Sequence, residues 1–181
     1  MFPDQNSKFP NIRFSEFTHA WEQGFLSSVV SIQNGKLNAN KMEISGKYNF
    51  YTSGREIFKI NTWSFEGEAV TIAGNGANMG YMHRASGKFD AYQRTYVLKT
   101  EIWDTDFLYF NLLKNLWIDI QRKISNGGIP FIVYNDISQF IVTSPSLPEQ
   151  QKISKLFTSL DSYLSLHQRK STILKNIKKN C

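Results

Sequence analysis

Short apolar runs separated by turn-forming residues fill the chain from residue 25 to about residue 100, a pattern that is typical of β-strands. The runs rich in β-branched and aromatic side chains cover residues 25–32, 48–52, 57–60, 68–73 and 95–98. Glycine follows asparagine or serine at most of the breaks, and these pairs favour tight turns. Residues 1–23 combine prolines with aromatic side chains in no regular period. They predict an extended lead-in that packs on a mostly β body.

A helical period replaces the strand pattern after residue 104. Asp104 and Asp106 suit a helix N-terminus, and the glycines after Asn126 predict its end. The apolar residues between them recur at steps of three and four: Phe107, Phe110, Leu113, Trp117, Ile120 and Ile124. Two further strands, joined by a turn at Asn135-Asp136, are predicted at 131–134 and 140–143. These elements predict an α/β (α+β) fold, a β-rich domain with one packed helix.

The last part of the chain predicts a long helix that begins at Ser146. Ser146-Leu147-Pro148-Glu149 matches a capping box, in which the serine oxygen and the glutamate side chain satisfy each other's backbone N–H groups. A stripe with the three-and-four spacing of a coiled coil follows: Ile153, Leu156, Leu160, Tyr163, His167, Lys170, Leu174 and Ile177, widened by Phe157 and Leu164. At 1.5 Å per residue the helix extends roughly 45 Å. A helix of that length predicts a partner, with an ordinary core helix as the alternative.

Charge divides the chain at the same place. Residues 1–148 hold 14 basic and 13 acidic side chains, whereas residues 149–181 hold 7 basic and 2 acidic ones. A basic segment suits nucleic acid or an acidic partner, although a solvated charged helix also explains it. The only cysteine is Cys181, which excludes an intramolecular disulfide, and no apolar run is long enough to span a membrane. We expect a soluble, cytoplasmic protein with a β-rich domain at 1–145 and a helical segment at 146–181.

The glycine-rich segment Gly74–Gly80 follows a predicted strand, as a dinucleotide-binding loop does. Such a loop needs a helix to begin inside the glycines, so that its N-terminus faces the phosphates. Residues 81–90 instead predict two short strands around Ser86-Gly87. We therefore assign no cofactor, and the segment is either a plain turn or a polar rim that a ligand such as DNA approaches.

Catalytic and metal-binding patterns are missing from the sequence. His19, His83 and His167 lie far apart in the chain, and no nucleophile elbow or Walker loop is present. Basic and amide side chains in predicted turns are better represented: Ser53, Arg55, Asn75, Asn78, Arg84, Lys88, Arg122 and Asn126. Arginine and lysine bind phosphates or guanine, and asparagine reads adenine in the major groove. These residues form our predicted DNA-binding set, with ordinary exposed polar positions as the alternative.

Taken together, these features resemble one half of the specificity subunit of a type I restriction–modification system. The most specific stretch is 145–153, Pro-Ser-Leu-Pro-Glu-Gln-Gln-Lys-Ile, followed by Leu160-Asp161 and Leu174-Lys175. Supporting stretches are Pro10-Asn11-Ile12-Arg13-Phe14 with Trp21-Glu22, Tyr51-Thr52-Ser53-Gly54, residues 67–73, and Asp106-Phe107-Leu108-Tyr109. The resemblance covers nearly the whole chain.

This resemblance implies a non-catalytic target recognition domain followed by a conserved spacer helix. In the family, two such units stand in tandem, their spacer helices pair antiparallel, and methylation subunits that bind S-adenosylmethionine dock on this frame. The complex then methylates adenine in a bipartite DNA target and restricts unmodified DNA. The present chain has one recognition domain and one helix, so a homodimer through the helix is expected. It is a natural half subunit, a truncation or a fragment of a tandem subunit.

Two other functions fit parts of the sequence. An interaction scaffold oligomerised by its C-terminal helix would share the stripe without binding DNA. A nucleotide-dependent enzyme would use the glycine segment, and would bind a free dinucleotide or triphosphate. The resemblance favours DNA recognition over both.

Overall fold

Ten β-strands and three α-helices form the part of the chain that the computed structural model describes, namely residues 1–3, 7–124 and 131–179, without the side chains of 121–124 and 173–179. The strands are β1 (Glu22–Phe25), β2 (Ser31–Asn34), β3 (Tyr48–Tyr51), β4 (Ile57–Ile60), β5 (Phe65–Glu66), β6 (Ala69–Ala73), β7 (Met82–Ala85), β8 (Lys88–Ala91), β9 (Thr95–Lys99) and β10 (Ile141–Ser144). The helices are α1 (Thr105–Ile124), α2 (Tyr134–Ser138) and α3 (Leu147–Lys179). This arrangement confirms the predicted fold class, including the long C-terminal helix.

Two four-stranded sheets and α1 are stacked in three layers. The inner sheet has the strand order β2-β9-β6-β7 and is antiparallel, and the outer sheet has the order β4-β3-β8-β5, with β3 and β8 parallel. Successive side chains of a strand point to opposite faces. On β6, Val70 and Ile72 therefore pack with Leu108 and Leu112 of α1, while Ala69 packs with Phe89 of the outer sheet.

The turn at Ser86-Gly87 carries the chain from one sheet to the other. Gly87 has a φ of +70°, which glycine adopts without a steric penalty. The two short strands predicted around this turn are confirmed as β7 and β8. They do not form a hairpin, because β7 pairs with β6 and β8 pairs with β3 and β5.

Two of the predicted strands are wrong in part. The run at 25–32 is divided by a 3₁₀ turn at Leu26–Ser28, since burial of Leu26 in the core turns the chain away from the first strand. The run at 131–134 is not a strand, and the predicted turn at Asn135-Asp136 lies inside α2. The carboxylate of Asp136 accepts a hydrogen bond from the Val133 N–H at 3.0 Å, so this acidic residue starts a helix instead of ending a strand.

A separate aromatic cluster attaches the lead-in and α3 to the body. Phe2 and Trp21 pack with Phe107 and Phe110 of α1 and with Ile153 of α3. The predicted packing of the lead-in aromatics is thus confirmed for Trp21 and Phe14, but it is wrong for Phe9, which is 55% exposed. No helix among the described residues has the length and apolar character needed to cross a membrane.

The predicted start of the long helix is confirmed, but Glu149 has a different role. Both of its carboxylate oxygens accept hydrogen bonds from Arg13, at 2.7 and 2.8 Å. The carboxylate of the expected capping box is therefore used in a buried ion pair that joins α3 to the lead-in. The helix begins with backbone bonds from the N–H groups of Glu149 and Gln150 to the Ser146 carbonyl.

Candidate nucleic-acid interface

Two loops meet at one end of the stacked sheets. The loop between β3 and β4 carries Ser53, and the loop between β6 and β7 carries Asn75. The Ser53 hydroxyl donates to Asn75 Oδ1 at 2.8 Å, so the two loops are joined directly. Of the predicted DNA-binding residues, the structure therefore brings these two together.

His83 of β7 holds the first loop in place from below. Its Nε2 lies 3.0 Å from the Gly54 carbonyl oxygen, the geometry of an Nε2–H donor to a backbone acceptor. The His83 ring centre is 5.4 Å from that of Tyr51 and 4.9 Å from that of Tyr81. An aromatic floor thus lies under the Ser53-containing loop, and it connects the two sheets.

Arg55 lies over this floor. Its guanidinium carbon is 5.5 Å from the Tyr81 ring centre, within the range of a cation–π contact. The side chain is otherwise exposed, so its N–H groups remain available to a ligand. A planar guanidinium held in this way presents two parallel donors, which is the arrangement that binds guanine or phosphate.

The loop at 74–80 is fixed against the end of α1. Gly80 has a φ of +81°, and a Cβ there would lie 3.0 Å from Ile120 and 3.1 Å from Trp117. Only glycine combines this backbone conformation with such close packing. Half-buried Asn78 belongs to the same loop, and its carbonyl accepts the Tyr81 N–H at 2.9 Å. Because β7 follows the loop, the helix that a dinucleotide site requires is absent at this position.

The polypeptide after residue 130 returns to the same loop. The Ile132 N–H donates to the Gly74 carbonyl at 2.7 Å, and Phe131 forms a β-bridge with Asn75. Phe131 is 66% exposed, which leaves an aromatic ring beside the polar loop. The predicted Asn126 and the side chain of the predicted Arg122 lie outside the described residues.

Two predicted DNA-binding residues lie away from this cluster. Lys88 is at the start of β8, and since β3 and β8 are parallel, it is at the end opposite to the Ser53-containing loop. Its Nζ lies 4.1 Å from the Trp63 ring centre. Arg84 faces α1 and α3, where it pairs with Asp106 at 3.2 Å.

Sequence reasoning did not place Tyr81 and His83 in the candidate site. Tyr81 directly precedes β7 and His83 is the second residue of that strand, and alternation puts both side chains on one face. That spacing is the one signal in the sequence that joins them. The contact of each ring with the loop at 52–56 depends on the stacking of two sheets, which the local pattern does not contain.

Acidification is expected to weaken the support under this loop. Burial lowers the pKa of His83, while its hydrogen bond to Gly54 opposes that shift. As the pH falls below about 6.5 the unfolded chain takes up the proton before the folded chain does, so stability falls. We expect the unfolding midpoint of the wild type to decrease more between pH 7.5 and 5.5 than that of His83→Gln, which keeps a donor but does not titrate. Exposed His19→Gln is the control, and equal pH dependence of wild type and His83→Gln contradicts the assignment.

The predicted stripe of α3 divides into a body-facing part and an exposed part. Ile153 is buried and Phe157 packs beside it. Four large side chains are exposed by 37% to 71%: Leu156, Leu160, Tyr163 and Leu164. His167 is exposed as well, and the side chains of Leu174 and Ile177 lie outside the described residues. The assignment of the exposed part as a paired seam stays a prediction.

Comparison with known proteins gives a family match over most of the chain. Residues 19–176 match the family described as the Type I restriction modification DNA specificity domain. The chain is 34% identical over 166 residues to the Type I restriction enzyme EcoDI specificity subunit of Escherichia coli, an alignment that covers 87% of this chain and 36% of that protein. These matches confirm the resemblance seen in the sequence.

Solved structures show the same fold. The S subunit of a type I restriction–modification system from M. genitalium matches with a TM-score of 0.67 at 20% identity, over 80% of this chain and 40% of that one. The HsdS subunit from Thermoanaerobacter tengcongensis matches with a TM-score of 0.63 at 14% identity, over 93% of this chain and 42% of that one. The chain thus spans less than half the length of each of these relatives.

Proposed function

Because the chain belongs to the family of type I restriction–modification DNA specificity domains, we propose that it recognises one half-site of a DNA target and directs a methylation and restriction complex to it. Its own role is recognition and not catalysis. The observation that supports this best is the meeting of Ser53, Arg55 and Asn75 at one end of the sheets, where two loops are joined by a hydrogen bond.

The side chains of this end supply the contacts that base reading requires. Arg55, held over Tyr81, presents paired donors to the O6 and N7 acceptors of guanine. The Asn75 amide offers a donor and an acceptor to adenine, and Ser53 fixes its orientation through Oδ1. Asn78 of the same loop is proposed as a further contact, and Arg122 and Asn126 stay in the predicted set. Lys88 lies at the opposite end of the outer sheet and is not part of this surface.

Methylation belongs to partner subunits in this proposal. Those subunits bind S-adenosylmethionine and methylate adenine in the cytoplasm, while this chain determines the DNA sequence at which they act. Two recognition bodies are needed for a bipartite target. A second copy of this chain supplies the other body, with the exposed stripe of α3 as the contact.

The charges along α3 favour antiparallel pairing of two copies. Residues 149–161 hold two acidic and two basic side chains, whereas residues 162–179 hold five basic ones and no acidic one. Parallel pairing would place the two basic halves side by side, and antiparallel pairing sets each beside a neutral half. The two bodies are then related by a two-fold axis, which the DNA target must share.

We therefore expect the target to be an inverted repeat of two identical half-sites with an unread spacer. The 33 residues of α3 span about 50 Å. At 3.4 Å for each base pair, that length limits the spacer to about 14 base pairs. Single-molecule sequencing of methylated DNA, from strains with this gene and its methylation partner and from strains without the gene, measures the motif. An asymmetric bipartite motif contradicts the homodimer, and no change on deletion contradicts the proposed function.

Variants of the two joined loops locate the recognition surface in the same assay. Arg55→Ala combined with Asn75→Ala is expected to abolish methylation at the motif, because both base contacts are lost. Lys8→Ala, an exposed cation of the lead-in, is the control. If the double variant methylates the wild-type motif at the wild-type level, these loops do not read the DNA. A scaffold without DNA binding would give no motif with any variant.

A further inference from the structure

Arg84 lies at the junction of three elements: β7, α1 and α3. Its Nη1 is 3.2 Å from a carboxylate oxygen of Asp106, at the start of α1, and 3.4 Å from the Thr158 hydroxyl of α3. Its Nη2 is 3.7 Å from a carboxylate oxygen of Asp161 on α3. The guanidinium also lies over the rings of Tyr109 and Phe110, at 5.1 and 5.5 Å. We refer to these residues as the Arg84 junction.

Within the described part of the chain, the Arg84 junction is the contact between the body and α3 that lies farthest from the start of the helix. Closer to the start of the helix, Glu149 pairs with Arg13, and Ile153 and Phe157 pack in the aromatic cluster. Every described α3 side chain at 159–172 is exposed. The helix therefore leaves the body at this junction.

The charges at the junction make Arg84 hard to replace. One guanidinium faces the carboxylates of Asp106 and Asp161, which stand on different helices. Without the cation, two like charges would face each other across the gap between α1 and α3. Side chains this exposed, 36% for Arg84, contribute little to overall stability. These charged side chains instead fix the position of α3 relative to the body.

The contact at Asp161 limits movement of the helix end more than the contacts nearer the start of α3 do. At 1.5 Å per residue, Asp161 lies about 21 Å along the helix from Leu147, Phe157 about 15 Å and Lys179 about 48 Å. If α3 moves sideways by 1 Å at Phe157 while Leu147 stays fixed, the helix end at Lys179 moves by about 3 Å. This displacement is close to the 3.4 Å rise of one base pair. The same sideways movement at Asp161 displaces the helix end by about 2 Å.

We propose that Arg84 is a positioning residue that sets the direction in which α3 leaves the recognition body, and through that direction the distance between two recognised half-sites. The second part rests on the proposed function, and the first part does not. Arg84 thus acts through α3 and touches no base. This role differs from the DNA contact that the sequence predicts for this arginine.

A distance measurement in the full-length chain tests the direction of α3 without DNA. Spin labels are attached at Lys36→Cys on the body and Gln168→Cys on α3, in a Cys181→Ser background, and labelled protein is diluted with unlabelled protein. We expect Arg84→Ala to broaden the distance distribution, by about 1.5 Å for each ångström of sideways movement at Asp161, because Gln168 lies about 1.5 times as far from Leu147 along the helix. Asp161→Asn, an exposed helix change that leaves the body intact, is expected to broaden it less but in the same way. A distribution unchanged in both variants overturns the proposal.

Methylation of DNA tests the distance between half-sites. The complex containing wild-type chain is expected to methylate one spacer length, whereas Arg84→Ala spreads methylation to spacers one base pair longer and shorter and retains the half-site sequences. Loss of both half-sites would mean that Arg84 reads DNA, and would overturn the positioning role. A broadened distance distribution with unchanged spacer choice would overturn the link to half-site distance. Failure of the wild type to methylate any motif would count against the proposed function alone, since the spin-label result stands independently.

Discussion

Arg13→Met is expected to lower the free energy of unfolding by about 3–5 kcal/mol, because it leaves the buried Glu149 carboxylate without its partner. Glu149 is only 1% exposed, and both of its oxygens accept from Arg13. Loss of the guanidinium therefore leaves a buried carboxylate without this partner at the junction between the lead-in and α3. The expected loss is a large fraction of the 5–15 kcal/mol that holds a typical domain folded.

Urea unfolding followed by circular dichroism measures this loss. Arg13→Met with Glu149→Leu is expected to recover most of the stability, since no buried charge is left unpaired. Lys152→Met is the matched control, because it removes a lysine that pairs with Glu16 at the surface of the same helix segment. Its effect is expected to be much smaller, as solvent screens an exposed pair. Equal losses for the two single variants would show that burial does not set the strength of the Arg13 pair.

The pair also shows how far the sequence predicts the start of α3. The capping-box pattern correctly places the first turn, since serine, proline and an acidic residue each suit a helix N-terminus. It does not predict that Glu149 turns to Arg13, a residue of the distant lead-in. Local propensity reports on neighbouring backbone groups, and an ion pair between distant segments depends on the tertiary fold.

The same distinction explains the results in the body. The helical period of α1 identifies that element, because apolar residues repeat on one face at a fixed spacing. The strands β3, β4 and β6 are identified by short runs of β-branched and aromatic residues between turns. The division of β7 and β8 between two sheets is not visible, since each strand looks the same whichever sheet it joins. The short helix α2 was missed because its apolar residues fit a strand equally well.

For the candidate site, the chemical type of a side chain is a better guide to its role than its predicted placement in a turn. Ser53, Arg55 and Asn75 were selected as polar residues in turns, and the structure brings them to one end. Arg84 was selected on the same grounds, yet it lies in a strand between two helices. A predicted turn position does not distinguish Arg55 from Arg84. The local sequence contains no information on which elements pack against each side chain.

Replacing Leu156 and Leu160 by aspartate is expected to abolish assembly through α3 while the body stays folded. In the single chain these residues are 37% and 48% exposed, so each new carboxylate remains hydrated and costs the body little. In a paired seam the same positions are buried, and each unpaired carboxylate costs several kcal/mol. Light scattering after size exclusion measures self-association, and the same column run with the methylation subunit measures docking.

Ser162→Asp with Ser165→Asp supplies the matched control. Both serines are exposed on the same helix, and the 3.6-residue period places them away from the Leu156–Leu160 side. The control adds the same charge to the same segment, so it separates burial in a seam from a general effect of negative charge on a basic helix. We expect the control to assemble like the wild type, and both variants to keep the wild-type circular dichroism of the body. If the leucine variant assembles normally, the exposed stripe is a solvated helix face and the two recognition bodies are held together by another surface.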